Sequence, residues 1–402
     1  MEGRKGPVII IGGGASGISA AIAAKSRGAG VVVCERMDRL GRKILASGNG
    51  RCNLSNDKLE SSRYNPAAKR LVDSVFSRFG SAEIRRFFEG LGLCLYSESG
   101  RVFPATNQSS TVLKVLEMEL GRLSILVEYG FQASKVVETK SGFVVLSASG
   151  RKIAGGAVIL ACGGRSYPAL GSDGSAYGIA KSLGHTVIEP APSAVPLTVK
   201  DQLCHSLQGQ KIIARVKSII GGSTGDPTPG DLLFTKYGLS GTAILDISRE
   251  ISIAVNRDKA RDVFVSVDMV PFMDEAELAG ELAKRLRRGV PAEDLIAGIL
   301  PNKFGTAMSD LLRVKEAKPI AKALKDRRFK VLGTRGWNEA DFTAGGVDPA
   351  EIGAECLSSL VKRGLYFAGE ILDVDGDRGG YNLAWAWASG HVAGRGAADC
   401  VA

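Results

Sequence analysis

The chain has 402 residues, of which 45% are hydrophobic and 23% are charged, a composition typical of a globular protein with a sizeable core and two or three domains. Lys and Arg outnumber Asp and Glu by 52 to 42, for a formal net charge of +10. Only segments 284–288 and 325–330 concentrate these cations, and a solvated surface is favoured there over a nucleic-acid interface.

The patterns of cysteine, histidine and apolar residues exclude further classes of protein. The seven cysteines are widely spaced and never form C-x-x-C, which argues against a disulfide framework or a zinc site and for a reducing compartment. The three histidines stand alone, so no metal site is expected. The apolar run at 8–11 is too short for a signal peptide, and no window approaches the roughly 18 apolar residues of a membrane span. We therefore expect a cytoplasmic protein with no membrane association.

Residues 7–35 have the pattern of one βαβ unit, with a helix ending near Gly28 and a second strand ending at Glu35. The junction of strand and helix has the pattern G-x-G-x-x-G, in which glycines permit a tight turn, approach of a pyrophosphate and close helix packing. Glu35 is placed to accept a hydrogen bond from a ribose hydroxyl. We expect a bound dinucleotide, and glycines that serve packing alone are the alternative. The predicted contacts in the turn are Gly12, Gly14, Ala15, Ser16 and Gly17.

The next segment, "GRKILASGNGRCNLSN" at 41–56, favours FAD over NAD. Its cations suit a pyrophosphate, and its glycines let the backbone approach a flat ring system. NAD-dependent dehydrogenases usually continue into another βαβ repeat, and a mobile surface loop is the alternative interpretation here. The predicted contacts of this region are Arg36, Gly41, Arg42, Lys43, Asn49, Gly50, Arg51, Cys52 and Asn53.

Two later regions are expected to return to the cofactor. "FQASKVVE", "FVVLSAS" and "KIAGGAVILACGG" predict strands, with the backbone near Lys135 and Val136 at the adenine. "LYFAGE" predicts a strand before an acidic loop and an apolar helix, whose N-terminus would stabilise negative charge on a reduced flavin. Glu370 or Asp373 could bind ribityl hydroxyls, and a plain buried helix is the alternative. The contacts predicted from these turns are Ala161, Cys162, Gly163, Gly164, Gly369, Glu370, Asp373, Gly380, Tyr381, Asn382 and Leu383.

With these motifs the sequence resembles the BaiN-like, or aminoacetone-oxidase-like, family of FAD-binding flavoproteins. The resemblance covers nearly the whole chain, including "GRKILASGNGRCNLSN", "VILACGGRSYPALGSDGSAYGIAKSLGH", "GDLLFTKYGLSGTAIL" and "GLYFAGEILDVDGDRGGYNLAWAWASG". It implies an α/β fold: a Rossmann-like FAD-binding domain of two chain segments with an inserted β-barrel and a helical subdomain.

The expected boundaries are 1–193 for the first FAD-binding segment, 194–272 for the barrel, 273–330 for the helical subdomain and 331–402 for the return to the barrel and the FAD-binding domain. Within the insertion, "VPLTVK", "QKIIARVKSII", "TAILDIS" and "VFVSVDMV" predict strands. "MDEAELAGELAKRLRR" and "AEDLIAGIL" predict helices, and "TAGGV" would bring the chain back to the flavin.

The expected reaction moves hydride between a small organic metabolite and flavin N5. Asn53, Lys236 and Tyr237 are the candidate catalytic residues, although position 236 holds Lys where this family often has His. "GNGRCN" also departs from the usual glycine run before Arg-Cys-Asn. Cys52 lacks the nearby second thiol of a disulfide reductase, which favours a packing role.

Several alternatives stay open at this stage. The sequence predicts no second nucleotide-binding unit, because the prolines in "IIGGSTGDPTPG" prevent the helix that would have to follow its glycines. NAD(P)H would therefore bind transiently over the flavin, or the flavin would pass electrons from the substrate to oxygen. A flavoenzyme acting on tRNA and a non-catalytic FAD-binding sensor are the other two interpretations. The substrate, the electron partner and the oligomeric state are open.

Overall fold

The computed structural model describes residues 6–402, which form thirteen α-helices and twenty strands. The strands are β1 (Val8–Ile11), β2 (Val31–Cys34), β3 (Ser55–Asn56), β4 (Leu95–Glu98), β5 (Arg101–Pro104), β6 (Leu126–Glu128), β7 (Ala133–Thr139), β8 (Gly142–Ser147), β9 (Lys152–Gly155), β10 (Ala157–Leu160), β11 (Val187–Ser193), β12 (Leu197–Val199), β13 (Lys211–Ile220), β14 (Ser223–Thr224), β15 (Thr228–Thr235), β16 (Gly238–Ser240), β17 (Val263–Asp268), β18 (Arg327–Thr334), β19 (Phe342–Val347) and β20 (Leu365–Phe367). The helices are α1 (Ala15–Ser26), α2 (Arg42–Ala46), α3 (Lys69–Phe76), α4 (Ser81–Gly90), α5 (Ser109–Arg122), α6 (Ala176–Ser182), α7 (Gln202–Ser206), α8 (Thr242–Ser252), α9 (Glu275–Arg287), α10 (Lys303–Ala307), α11 (Ser309–Leu312), α12 (Ala317–Lys325) and α13 (Tyr381–Val401).

The chain divides into two compact units. The first comprises residues 6–190 together with Phe342–Ala402, and the second comprises Ala191–Asp341. A Rossmann-like domain built from both chain ends with an inserted region is therefore confirmed as the architecture. The finer boundaries expected from the sequence stay a prediction.

A five-stranded parallel sheet forms the centre of the first unit. Its order is β20-β10-β1-β2-β6, and β1 and β10 are buried along their whole length. Such continuous apolar strands are typical of a parallel sheet covered on both faces. Two three-stranded sheets, β3-β5-β4 and β7-β8-β9, complete this unit, and β11 pairs with β19.

Helices α1 and α13 approach each other closely because small residues line their contact. A Cβ atom on Gly390 would collide with the Ser16 carbonyl oxygen, and one on Gly394 would collide with the carbonyl oxygen of Ala20. Trp387 is fully buried in α13, and its indole nitrogen donates to the Leu54 carbonyl at 3.1 Å. The C-terminal helix is therefore part of the core of the N-terminal βαβ unit.

The second unit contains a closed antiparallel barrel of six strands. The order is β13-β15-β16-β12-β18-β17, and pairing of β17 with β13 closes it. Buried residues such as Phe234 and Phe329 alternate with less buried ones, and helices α7–α12 belong to the same unit. The barrel and the helical elements expected from the family resemblance are thus present.

Two sequence-based predictions in this unit are wrong. "TAILDIS" is not a strand but the start of α8, where Ile244, Ile247 and Ile251 form a buried helical face. "AEDLIAGIL" is not an α-helix, because only the 3-10 turn Ala292–Asp294 forms before Gly298 takes a positive φ of 75°. Among residues 6–402, no helix has the length and apolarity needed to cross a membrane.

Candidate functional site

The cofactor contacts predicted after four of the strands lie at one edge of the parallel sheet. The glycine turn follows β1, Glu35 follows β2, Ala161–Gly164 follow β10, and Gly369 with Glu370 follow β20. Because these four strands are parallel, their carboxyl ends lie at the same edge, which is where ligands bind in open α/β sheets. The arrangement therefore brings together segments separated by more than 300 residues in the sequence.

The glycine turn has the shape that a dinucleotide requires. Gly12 has a φ of 108°, and a Cβ there would lie 2.5 Å from the Ala161 carbonyl oxygen. A Cβ on Gly17 would collide with the Gly12 carbonyl, so helix and strand pack closely. Gly14 is the N-cap of α1, and a Cβ on it would meet no protein atom within 4 Å. The space beside Gly14 is thus open to a ligand, next to the free amides of Ala15 and Ser16.

Glu35 is buried at the end of β2 with its carboxylate fixed by the backbone. It accepts hydrogen bonds from the amides of Gly13 and Met37, each at 2.7 Å. The neighbouring Arg36 forms an ion pair at 2.5 Å with Asp173, which lies in the loop that precedes α6. Glu35 therefore has the fixed position expected of a ribose acceptor.

The loop at 41–56 touches the glycine turn and relies on left-handed backbone. The Gly41 amide donates to the Gly13 carbonyl at 2.9 Å, and Gly41 and Gly50 have positive φ angles, as do Asn49 and Cys52. Burial of Cys52 raises the pKa of its thiol to about 12, against which a hydrogen bond with Ser47 acts in the opposite direction. The thiol is accordingly neutral at neutral pH and lacks the reactivity of a thiolate.

An ion pair links this loop to the segment after β20. The Lys43 ammonium lies 2.7 Å from Glu370 Oε2 and donates to the Ser166 hydroxyl at 2.6 Å. Glu370 Oε1 accepts from the Ser166 hydroxyl at 3.0 Å and from the Thr343 amide at 2.8 Å. The sequence predicted that Lys43 binds a pyrophosphate and that Glu370 binds ribityl hydroxyls. In the structure the two side chains form an ion pair with each other.

The other two cations of the loop have partners among protein groups. Arg51 lies 4.3 Å above the Phe103 ring and donates to the Tyr96 hydroxyl at 2.8 Å. Arg42 is 3.8 Å from Asp38. The guanidinium of Arg51 is thus directed at the β4–β5 hairpin in this structure.

The turn after β10 is shaped by close contacts with its neighbours. The Ala161 amide donates to the Ile11 carbonyl at 2.9 Å, and the Cys162 thiol contacts the same carbonyl at 3.1 Å. Gly163 has a φ of 73°, while a Cβ on Gly164 would collide with the Thr343 hydroxyl. Burial raises the pKa of the Cys162 thiol to about 12, aided by the charge of Glu35.

The segment that opens α13 is held by its own loop, by β19 and by Tyr64, which precedes α3. Asp373 accepts from the Gly345 amide at 2.8 Å, and the Asn382 side chain bonds both backbone groups of Gly376. Gly380 caps the helix with a φ of 99°. The Tyr381 carbonyl accepts from the Tyr64 hydroxyl at 2.7 Å. The remaining predicted contacts lie in α13 and β7: Leu383 packs partly buried against the core, Lys135 is exposed and Val136 is buried.

Three uncharged buried polar atoms of the first unit have no hydrogen-bond partner within residues 6–402, namely Asn53 Oδ1, Ser172 Oγ and the Tyr177 hydroxyl. Burial raises the pKa of Tyr177 well above its usual range, and the charges of Glu370 and Asp373 act in the same direction. Together with the open space at Gly14, these atoms fit a polar ligand such as FAD, for which sequence reasoning predicted Asn53 as a contact.

The candidate catalytic residues are divided between the two units. Asn53 belongs to the first unit, whereas Lys236 and Tyr237 form the turn between β15 and β16 in the second. The Thr235 hydroxyl secures this turn by bonding both backbone groups of Gly238. The Arg335 guanidinium lies 4.5 Å from the centre of the Tyr237 ring.

Sequence reasoning missed the residues that connect the predicted contacts. Ser166 and Thr343 are fully buried, and the Thr343 hydroxyl accepts from the amides of Arg165 and Ser166 at 2.8 and 3.2 Å. Both occur in motifs noted above, "GGRS" and "TAGGV", and polar side chains next to glycines were the available signal. Tyr177 gave no comparable signal.

Comparison with known proteins decides the family. A family model described as "HI0933-like protein Rossmann domain" matches residues 6–396. The chain belongs to this family. A 3-dehydro-bile acid delta(4,6)-reductase of Clostridium scindens is 37% identical over 97% of this chain and 98% of its own length. A ribosomal RNA dihydrouridine synthase of Escherichia coli is 29% identical over 95% of each chain.

A solved structure agrees in fold. The open conformation of a flavocytochrome c3 fumarate reductase aligns with a TM-score of 0.50 and 17% identity, over 99% of this chain and 79% of the other. This family member has a Rossmann-like FAD-binding fold and is an FAD-dependent oxidoreductase, as the resemblance implied.

Proposed function

We propose that this family member reduces a carbon–carbon double bond conjugated to a carbonyl group in a small organic molecule. The names of the two curated relatives support this reaction class, since one is a delta(4,6)-reductase of a 3-dehydro-bile acid and the other forms dihydrouridine. A carbonyl polarises the adjacent double bond, so that one carbon accepts hydride and its neighbour accepts a proton. FAD, when bound, supplies the hydride chemistry at flavin N5.

The observation that carries the cofactor assignment is the open glycine turn beside a fixed Glu35. The amides at the start of α1 would hold the pyrophosphate, and Glu35 would hold the ribose. The pair of Lys43 and Glu370 would fix the loop at 41–56 against the segment after β20. Asn53, Lys236 and Tyr237 stay our candidates for residues that orient the substrate or give it a proton.

We propose NAD(P)H as the electron donor, bound transiently. Within the part of the chain that the structure describes, 219–230 forms the end of β13, the short strand β14 and the start of β15 rather than a second glycine turn before a helix. A dedicated nicotinamide domain thus has no candidate there. Oxygen is the alternative partner, as acceptor of electrons taken from a substrate.

A second candidate function is reduction of uridine in an RNA, which the E. coli relative favours through its name. The basic segments give it little support. Arg285 pairs with Glu281 at 3.0 Å, Lys325 with Asp268 at 2.8 Å, and Arg327 with Asp201 at 2.8 Å. Cations that are neutralised by neighbouring carboxylates contribute less to phosphate binding.

Anaerobic reduction and reoxidation of the flavin distinguish these candidates. We expect NADH or NADPH to bleach the visible flavin band, and a 4-en-3-one steroid to restore it, whereas the matched saturated ketone restores nothing. Reoxidation by a uridine-containing ribosomal RNA fragment instead would support the RNA function. A flavin that no nucleotide reduces would overturn the reductase proposal, and amines and 2-hydroxy compounds would then be tested as for an oxidase.

A further inference from the structure

Three polar side chains of the first unit form a hydrogen-bonded chain away from the glycine turns. His185 precedes β11, Glu351 ends the 3-10 turn after β19, and Ser359 lies before β20. His185 Nδ1 is 2.9 Å from Glu351 Oε2, and His185 Nε2 is 2.8 Å from Ser359 Oγ. We call these three residues the histidine clasp.

The neighbours of Ser359 decide where the hydrogens lie. Its Oγ accepts the backbone amides of Val361 at 3.0 Å and Lys362 at 2.7 Å. A hydroxyl has two lone pairs and one hydrogen, so that hydrogen is left to donate to His185 Nε2. His185 is therefore neutral, with Nε2 as the acceptor and with its hydrogen on Nδ1, donated to Glu351.

The order of these groups is that of a serine-hydrolase triad, but its chemistry is different. Ser359 is only 8% exposed, and both lone pairs of its oxygen are bound to amide hydrogens. An oxygen in that state is not available to attack a substrate. The clasp therefore fixes backbone segments to each other.

The surroundings of the imidazole favour its neutral form. The His185 side chain is fully buried and packs edge-on against Phe367 of β20, with ring centres 4.7 Å apart. Burial lowers the pKa of His185, and the hydrogen bond and charge of Glu351 offset this only in part. Burial also raises the pKa of Glu351, but hydrogen bonds from Thr186 and His185 outweigh it and hold that pKa below its usual value.

The other charged groups near the clasp are engaged elsewhere. The Arg70 guanidinium donates to the carbonyls of Pro349 and Ile352, which flank Glu351. The Lys362 ammonium pairs with Glu138 at 3.0 Å. Asp348 accepts from the Ala350 amide at 2.8 Å. Glu351 is thus the charged group that contacts the imidazole directly.

We propose that the histidine clasp is a proton-sensitive device that holds the start of β11, the turn after β19 and the segment before β20 together while His185 is neutral. Protonation of Nε2 directs an N–H at the hydroxyl hydrogen of Ser359. Ser359 then has to turn its hydrogen away and accept from Nε2, so that one of its lone pairs no longer accepts from the amide of Val361 or Lys362. Since β20 leads into Gly369 and Glu370, opening of the clasp would reach the predicted cofactor loop, whichever substrate the protein takes.

The first test determines the tautomer in the purified protein with its flavin, labelled with ¹⁵N-histidine. The three histidines are assigned with single His→Gln variants. We expect the His185 signal at neutral pH to show hydrogen on Nδ1 and none on Nε2. Hydrogen on Nε2, or a charged ring, at neutral pH would overturn the proposal without any variant of the clasp having to fold.

The second test follows hydrogen exchange of the Val361 and Lys362 amides, corrected for the intrinsic effect of pH. We expect their protection in the wild type to fall about tenfold between pH 7.5 and pH 5, the loss of roughly one hydrogen bond. His185→Gln should abolish this response. His391→Gln is the matched control. His391 is also a histidine whose pKa is lowered by burial, to about 4, but it lies in α13, where it stacks on Phe79, and it is not part of the clasp. Protection that is constant with pH in the wild type contradicts the clasp.

Discussion

The space beside Gly14 allows the cofactor to be tested separately from the fold. In a Gly14→Ala variant the added methyl group meets no protein atom within 4 Å, and the φ of −83° and ψ of −168° at this residue are open to alanine. The change at the helix N-cap costs at most about 1 kcal/mol of stability. We therefore expect the variant to fold.

The same methyl group occupies the space that a pyrophosphate would use. Losing one charge-assisted hydrogen bond costs about 1.5–3 kcal/mol, which corresponds to a rise of about 10- to 100-fold in the Kd for FAD. Titration of the apoprotein with FAD, followed by flavin fluorescence, measures this change. The melting temperature of the apoprotein reports the fold independently.

Gly121→Ala is the matched control, because it also adds a methyl group where a Cβ meets nothing within 4 Å, but on α5. Its FAD affinity should equal that of the wild type. Gly17→Ala should instead damage the fold itself, since its Cβ would collide with the Gly12 carbonyl. An unchanged Kd in a folded Gly14→Ala variant would refute the assignment of the glycine turn to the cofactor.

Two further predictions concern Lys43 and Cys52. Lys43→Met leaves the partly buried Glu370 without its ion pair and should lower the free energy of unfolding by about 1–2 kcal/mol in a urea titration. Lys69→Met is the control, because it breaks an exposed pair with Asp73 and should lower that free energy by at most about 0.5 kcal/mol. Equal losses would contradict the structural role of Lys43. Cys52→Ser should retain flavin reduction by NAD(P)H, because burial raises the pKa of the Cys52 thiol to about 12 and keeps it unreactive. In the wild type, a thiol reagent should label the exposed Cys94 before the buried Cys52. Loss of turnover in step with labelling of Cys52 would contradict a packing role for this thiol.

The Rossmann unit was predictable because its signals are local. Strand, glycine turn and helix lie within residues 7–35, and the structure displays a separate geometric reason for the glycines at Gly12 and Gly17. The two-segment arrangement followed from the family resemblance and from the glycines before α13. Local pattern alone could not show how Gly390 and Gly394 bring α13 against α1.

The errors arose where short apolar patterns are ambiguous. "TAILDIS" is rich in β-branched residues, yet Ile244, Ile247 and Ile251 also have helical spacing, and burial of that face decided for α8. Contacts between residues that are far apart in the sequence could not be predicted from local patterns either. Lys43 and Glu370 are 327 positions apart, so only the folded chain shows that their charges meet.

The most direct test of the central claim is the visible spectrum of the purified protein, with identification of the released flavin by mass. We predict the absorption of an oxidised flavin and one FAD per chain, either as purified or after addition of FAD. A colourless protein that takes up no added FAD would contradict the account of the site.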